Sequence, residues 1–212
     1  LFGGIPGRPI GDGMDGHSWW PLFESIPTEY LEVYYPMIIE NYQSIPDSGG
    51  PGKHRGGNGV EKVYLLLEDG EISIQDDRQE SQPWGILGGK PGQCSDKWLV
   101  KTDGTRERLG SKIDSFKVRA GERVIFKTAG GGGWGDPLDR EAIRVRNDVA
   151  RNLMSGEVAR QHYGVVLKGD GWELDVRATQ ELRENLKRSR PALQPYDFGE
   201  RQTGVNGVSA AA

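Results

Sequence analysis

Four clusters of glycine constrain this chain more than any other feature of its sequence. GGIPGRPIGDGMDG opens it, and DSGGPGKHRGG, GILGGKPG and AGGGGWG follow, with strand-like runs between them. Glycine and proline account for 44 of the 212 residues, about a fifth, against an average near 12%. The triplet period of collagen is absent. Glycine at this density, alternating with β-branched and aromatic runs, marks positive-φ turns and close backbone approaches in a β-rich fold. The expected class is α+β: a β-rich glycine-loop domain over residues 1–135, a helical appendage with a small hairpin over 136–190, and a disordered polar tail over 191–212.

Local patterns refine this expectation. The run from Glu29 to Ser44 contains Pro36, which removes an amide donor. It fits two short strands or one edge strand bent at Pro36, with a helix over 28–35 capped by Thr28 as the alternative. Val60 to Leu67, the pair Asp69-Gly70 and Glu71 to Gln75 form a predicted hairpin. Strands are expected at 97–101, 115–118 and 122–128, with turns at Asp103-Gly104 and Ala120-Gly121. After Asp136-Pro137, a cap followed by proline at the first helical position, the period changes. Ile143, Val145, Val149 and Leu153 then give a helical apolar face. Ser155-Gly156 ends that helix and Ser155 opens a shorter one. A hairpin is expected around Gly169-Asp170-Gly171, and a charged helix over 175–190. A helix-turn-helix for DNA would need a basic second helix; two helices packed on the β region is the simpler account.

Composition excludes several functions. Lys and Arg number 27 against 31 Asp and Glu, and no basic run offers a phosphate-neutralising surface, so nucleic acid is not an expected partner. No apolar stretch approaches the ~20 residues of a membrane span, and a cytoplasmic location is expected. Cys94, the single cysteine, can form no internal disulfide and has no zinc-site neighbours.

Two local candidates remain. Asp15 and His17, in DGMDGH, could bind a divalent metal or move a proton, although no third ligand accompanies them; the alternative is a loop histidine stacked on Trp19 or Trp20. The loop carrying Asp47, Ser48, Gly49, Gly50, Lys53, Arg55, Gly56 and Gly57 is either an anion or carboxylate site built on glycine amides, or a turn system in which Asp47 holds its own following amides. It lacks the spacing and the Ser or Thr of a phosphate-binding P-loop. GGGGW has no βαβ context for a dinucleotide. Asp76 and Asp77, adjacent on a strand, would face opposite ways.

The order of these segments carries a resemblance. IPTEYLEVYYP at 26–36, DSGGPGKHRGGNG at 47–59, PWGILGGKPG at 83–92 and GGGGWGDPLDR ending at Arg140 are together similar to the C-terminal part of the hydantoinase B/oxoprolinase family. That family includes the B component of N-methylhydantoinases, the C-terminal half of 5-oxoprolinase and the large subunits of acetone and acetophenone carboxylases. The resemblance implies an ATP-using partner of the hydantoinase A type, with an actin/sugar-kinase-like fold, that phosphorylates an unreactive amide or ketone oxygen. The B-type component then completes hydrolysis of the cyclic amide, or carboxylates the ketone. It implies a divalent metal in the full-length protein, held by His and Asp residues upstream of this chain, so that this chain alone is expected to be inactive. It implies a scaffold role for Asp47, Gly49, Gly50, Arg55, Gly56, Gly57 and Gly131 to Asp136. A non-catalytic assembly module is the remaining alternative.

Overall fold

The computed structural model describes residues 2–17, 26–169 and 173–202. Within them the α+β class holds, with many short strands and four helices. Helix α1 (Thr28–Tyr34) leads into β1 (Met37–Ser44), β2 (Val60–Leu66), β3 (Gly70–Gln75), β4 (Gly85–Ile86), β5 (Asp96–Val100), β6 (Arg106–Arg108), β7 (Lys112–Val118) and β8 (Arg123–Lys127). Then come α2 (Ala142–Ala150), α3 (Gly156–Tyr163), β9 (Leu167–Lys168), β10 (Glu173–Leu174), α4 (Val176–Ser189) and β11 (Tyr196–Asp197). An antiparallel sheet runs in the order β1-β2-β8-β5-β6, and a separate ribbon pairs β3 with β7. Leu66, Ile74, Leu99, Leu109, Val118 and Val124 fill the space between sheet and ribbon. A second core, Val145, Met154, Ala159, Tyr163 and Val165, sits among the helices.

Several local expectations change. The predicted hairpin at Asp69-Gly70 does not form, because β2 has β1 on one edge and β8 on the other and offers β3 no free ladder. β3 instead crosses to β7, and the Asp69 carboxylate accepts from the Ala120 amide at 2.8 Å. Of the two readings of 29–44, the alternative holds in its first half, where the helix offered over 28–35 forms as α1. Pro27 precedes it and Pro36 ends it by forcing Tyr35 into extended backbone, at φ −126° and ψ 142°. Thr28 lies inside this helix and does not cap it. Asp136 does cap, accepting from the Leu138 amide at 3.0 Å, but what it caps is a 3-10 turn over Pro137–Asp139; α2 begins afresh at Ala142. Ser155 and Asp175 cap α3 and α4 as their positions suggest. The small hairpin forms between β9 and β10, its turn lying outside the described residues. The tail expected to be disordered departs from that at 191–202: β11 pairs with β4, and Arg201 bridges to Ser81.

The glycine clusters are not loops around a void. Residues 129–134 run as an extended strand, and their hydrogen bonds repeat every third residue. The N–H groups of Gly130 and Gly133 donate to the carbonyls of Gln93 and Lys90; those of Gly131 and Trp134 donate to Gly57 and His54. The carbonyls of Ala129 and Gly132 accept from Gly4 and Gly7, all six bonds falling between 2.8 and 3.1 Å. Three residues per turn is the period of a polyproline II helix, whose backbone groups point outward to three sides. A central strand therefore bonds to segments 2–7, 48–57 and 83–93 around it. Only glycine allows backbones this close: a Cβ on Gly132 would lie 1.8 Å from the Trp84 carbonyl oxygen.

Candidate functional site

The 47–57 loop belongs to this bundle, and its amides are all committed. Ser48 donates to Ile45, Gly49 to the Asn58 side chain, Gly50 to Gly131, Gly52 to the Tyr163 hydroxyl and Lys53 to Gly135. His54 donates to Trp134, Arg55 to the Asp12 carboxylate, Gly56 to Gly50 and Gly57 to Ile5. An anion would find no free donor in this run, so the expected amide cradle is not formed. The alternative Asx turn is absent too. Asp47, at φ 63°, instead accepts from the Ser155 amide at 2.7 Å and ties the loop to the start of α3.

The loop's cations are likewise placed for structure. Lys53 is exposed, whereas Arg55 is buried and makes a two-pronged pair with Asp15 at 2.7 and 3.1 Å. Asp15 also accepts from the Asn58 amide at 2.7 Å, which leaves its carboxylate committed to the fold. His17 is exposed, and its expected stacking partners Trp19 and Trp20 lie outside the described residues. Among the described residues no group of three His, Cys, Asp or Glu side chains could hold a metal ion. Asp15 and His17 thus do not fit a metal site, and no chemical step is assigned to them.

What the fold brings together is a charge cluster that sequence reasoning missed. Arg140, its side chain 1% exposed, donates to both oxygens of Asp12 at 2.6 and 2.8 Å and to Asp148 at 2.7 Å. Arg144 reaches Asp12 at 2.6 Å, and Arg55 lies 3.6 Å from Asp148. With the Arg55–Asp15 pair, three carboxylates face three guanidinium groups, and the cluster is neutral. Burial works to raise the Asp12 carboxyl, but the Arg140 hydrogen bonds and the charges of Arg140, Arg144 and Arg55 together hold it below the usual carboxylate value. For Arg140 burial acts downward and is outweighed by Asp12 and Asp148, so its pKa rises. His54 borders the cluster with Nδ1 3.8 Å from Asp12. Burial lowers its pKa; Asp12 opposes this, while Arg144, Lys53 and Arg140 reinforce it. Asp12 and Arg140 are 128 positions apart, so no local spacing could have revealed the pair.

A second polar group lies under the β sheet. Lys97, fully buried, pairs with Asp76 and lies 3.2 Å from Gln79 Oε1, 3.3 Å from Ser95 Oγ and 5.3 Å from the centre of the Phe126 ring. Asp77 turns the other way, to an exposed Lys112 at 3.2 Å. Asp76 and Asp77 also line a cavity of about 540 Å³, with Arg78, Trp84, Ile86, Gly3, Gly4 and residues 128–132. Cavities of this size are in the range that takes a ligand. Part of its wall is the glycine bundle, on a side that the 47–57 loop does not line.

Comparison with known proteins gives this architecture its relatives. The model of the hydantoinase B/oxoprolinase family matches residues 1–137. The B component of a putative D-/L-hydantoinase from Pseudomonas sp. strain NS671 is 31% identical over 187 residues, covering 87% of this chain and 31% of its own. The beta chain of the Pseudomonas jessenii caprolactamase is 34% identical over 193 residues, covering 84% and 32%. In the solved structure of that ATP-dependent caprolactamase, a chain superposes with a TM-score of 0.73 at 32% identity, over 87% of this chain and 33% of its own. Nucleotide-free acetone carboxylase, at 23% identity, shares the fold with a TM-score of 0.74, over 86% and 29%. The chain spans about a third of the length of these relatives. It belongs to the hydantoinase B/oxoprolinase family.

Proposed function

We propose that this chain is a scaffold-forming C-terminal segment of a hydantoinase B-type protein that takes part in ATP-dependent hydrolysis of a cyclic amide, of the hydantoin or 5-oxoproline class, together with a hydantoinase A-type partner. The observation that carries this is the likeness to the ATP-dependent caprolactamase, in sequence and fold together, over most of the chain. An amide carbonyl is a poor electrophile. Transfer of the γ-phosphoryl group of ATP to its oxygen activates the carbon; water then adds to it, the ring C–N bond breaks to leave a free amine and an acyl phosphate, and a second water hydrolyses the acyl phosphate to carboxylate and phosphate. Such an intermediate survives only where bulk water is excluded, and a backbone bundle without side chains makes a rigid wall for that purpose. Asp47, Gly49, Gly50, Arg55, Gly56, Gly57 and Gly131 to Asp136 act in this reading by holding the wall. The metal-binding residues are assigned to the part of such a protein that this chain does not span.

The exposed aromatic face of α1, with Tyr30, Val33 and Tyr34 each more than half exposed and no buried residue in the helix, supports work within a larger assembly. Reconstitution tests the proposal: the chain, the remainder of the B-type protein and an A-type partner should hydrolyse ATP in response to hydantoin, 5-oxoproline or caprolactam. Turnover that instead requires bicarbonate and a ketone would transfer the chain to the carboxylase branch, whose fold it shares. Response to neither substrate class would leave only an assembly module.

A further inference from the structure

A cleft of about 290 Å³ opens where the Gly88–Lys90 turn, the 3-10 turn after Asp136, the last turn of α4 and the segment 189–194 meet. It shares no lining residue with the larger cavity beside the glycine bundle or with the Asp12–Arg140 cluster. Most of its lining lies past residue 137, where the match to the family model ends.

Two ion pairs face this cleft. Lys90 Nζ donates to Asp197 at 3.0 Å, and Arg190 Nη1 donates to Asp136 Oδ1 at 2.6 Å. Neither pair uses all of its polar atoms. The Asp136 side chain is only 6% exposed; its Oδ1 also accepts from the Leu138 amide, whereas its Oδ2 accepts no hydrogen bond among the described residues. Arg190 Nε and Nη2 likewise donate to nothing among the described residues, and an ammonium such as that of Lys90 has three N–H groups to give. His162 lies in the same wall. Partial burial lowers its pKa, Lys90 reinforces this and Asp47 opposes it, so the imidazole is neutral at pH 7. Two cations and two carboxylates then leave the lining without net charge, and Leu138, Leu186 and Leu193 make it partly apolar.

A lone anion entering this cleft would compete with Asp136 and Asp197 for their cations, and a lone cation would compete with Lys90 and Arg190. A ligand with both charges does neither: it gives an acceptor to the free N–H groups and a donor to the free Oδ2, and both pairs stay intact. We infer that the cleft binds a zwitterionic amino acid with an apolar chain, its ammonium donating to Asp136 Oδ2, its carboxylate accepting from Lys90 and Arg190, and its chain lying on Leu186 and Leu193. Opening of a lactam ring releases a compound of this class. The cleft is thus a product-binding site built on this chain, and only in the origin of its ligand does the inference rest on the reaction proposed above.

Calorimetric titration of the intact chain at neutral pH with ε-aminocaproate, caproate, hexylamine and caprolactam is the test. ε-Aminocaproate should bind at least about fivefold tighter than each of the other three. The amide NMR signals it shifts should centre on Gly88, Gly89 and Leu193. Lys90→Gln should weaken ε-aminocaproate and caproate roughly threefold or more without weakening hexylamine. Asp136→Asn, which keeps the acceptor of the cap, should weaken ε-aminocaproate and hexylamine without weakening caproate. Amide spectra report whether each variant is folded, and for one that is not, the ligand ranking and shift map of the parent chain decide. Equal affinity for the four ligands, shifts centred elsewhere, or folded variants that weaken all ligands alike would each overturn the inference. Lactam-dependent ATP turnover by the reconstituted complex without binding in this cleft would refute the site alone, and binding without such turnover would support the site and refute the reaction alone.

Discussion

Substituting Gly56 by alanine puts one methyl group where the fold has backbone. The new Cβ would stand 1.9 Å from the Gly131 carbonyl oxygen and 2.5 Å from its carbon. Unbonded carbons sit comfortably at ~3.5 Å, so one strand must retreat by more than about 1 Å. Neither strand is free to do so. Gly131 accepts from Gly50 at 2.7 Å and donates to Gly57 at 2.9 Å, while Gly56 donates to Gly50 at 2.9 Å. Breaking two of these buried bonds costs about 1–3 kcal/mol each, so a loss of at least about 2 kcal/mol is expected. For a chain of this size that lowers the melting temperature by at least roughly 4–8 °C. Gly156→Ala is the matched control. Nothing lies within 4 Å of its added Cβ, its φ is not in the left-handed region, and it sits in the first turn of α3. There alanine should be neutral or stabilise by up to about 1 kcal/mol. Urea unfolding of the two variants beside the parent chain measures both. A Gly56→Ala loss below about 1 kcal/mol would refute the close-packed bundle, since a bundle that can absorb a methyl group at this position is not held backbone to backbone.

The charge cluster predicts two further outcomes. Asp12→Asn leaves Arg140 buried against Asp148 with half its neutralising charge removed, and should cost about 3–5 kcal/mol by denaturant unfolding. Because the folded pKa of Asp12 lies below its ordinary 3.8, its stabilisation is complete above that value and fades as pH falls through the folded value; the variant should show a shallower acid limb, and an identical limb would exclude Asp12 as its source. His54, held below 6.5 mainly by burial, should be neutral at pH 7 and contribute stability that is lost as pH drops from 6.5 through its folded value. Its imidazole NMR resonances should titrate below pH 6.5, and a midpoint at or above that value would contradict the placement beside Arg140 and Arg144.

Legibility from sequence followed the range of the interactions. Strands β2, β5, β7 and β8 could be read from local residue pattern, and the cap at Ser155 from the local chemistry of helix starts. Pairing could not. Asp69-Gly70 has the residues of a hairpin turn, yet whether β3 returns to β2 depends on β1 and β8 having taken both edges of β2 first. Helix α1 misleads for a related reason. Its β-branched and aromatic residues normally signal burial, and here they face outward on a helix bounded by two prolines. The glycine motifs disclose the family through their order, but their job is obscured by the usual meaning of a glycine-rich loop. A cradle for anions and a packed backbone bundle use the same residues; only the acceptors of each amide tell them apart. Asp15 and Arg55 stand out in the sequence as functional candidates and are partners of each other, whereas Asp12, Arg140 and Asp148 leave no local signal because the Asp12–Arg140 contact spans most of the chain.

The bundle and the charge cluster answer one physical problem. A centre made of glycine backbone buries few apolar side chains, so the hydrophobic effect that holds the sheet and the helices contributes little there. What remains is backbone hydrogen bonding, worth about 1 kcal/mol net per bond and opposed by the large entropy of ordering glycine. Such a structure needs clamps at its margins, and polar ones, because its margins present carbonyls and amides. Arg140 meets this need in one side chain. It donates to the Lys53 carbonyl at 3.1 Å while neutralising Asp12, and Asp12 in turn accepts from the Arg55 amide. Tyr163 does the same from the helical side: its ring is in the second core and its hydroxyl accepts from Gly52. The helices past residue 140 are therefore not an ornament on the β region. If they are what keeps the bundle closed, removal of residues 141–202 should expose the glycine segments to exchange even though the five-stranded sheet retains its own apolar core, and a truncated chain whose bundle amides stay protected would show that backbone bonding suffices by itself.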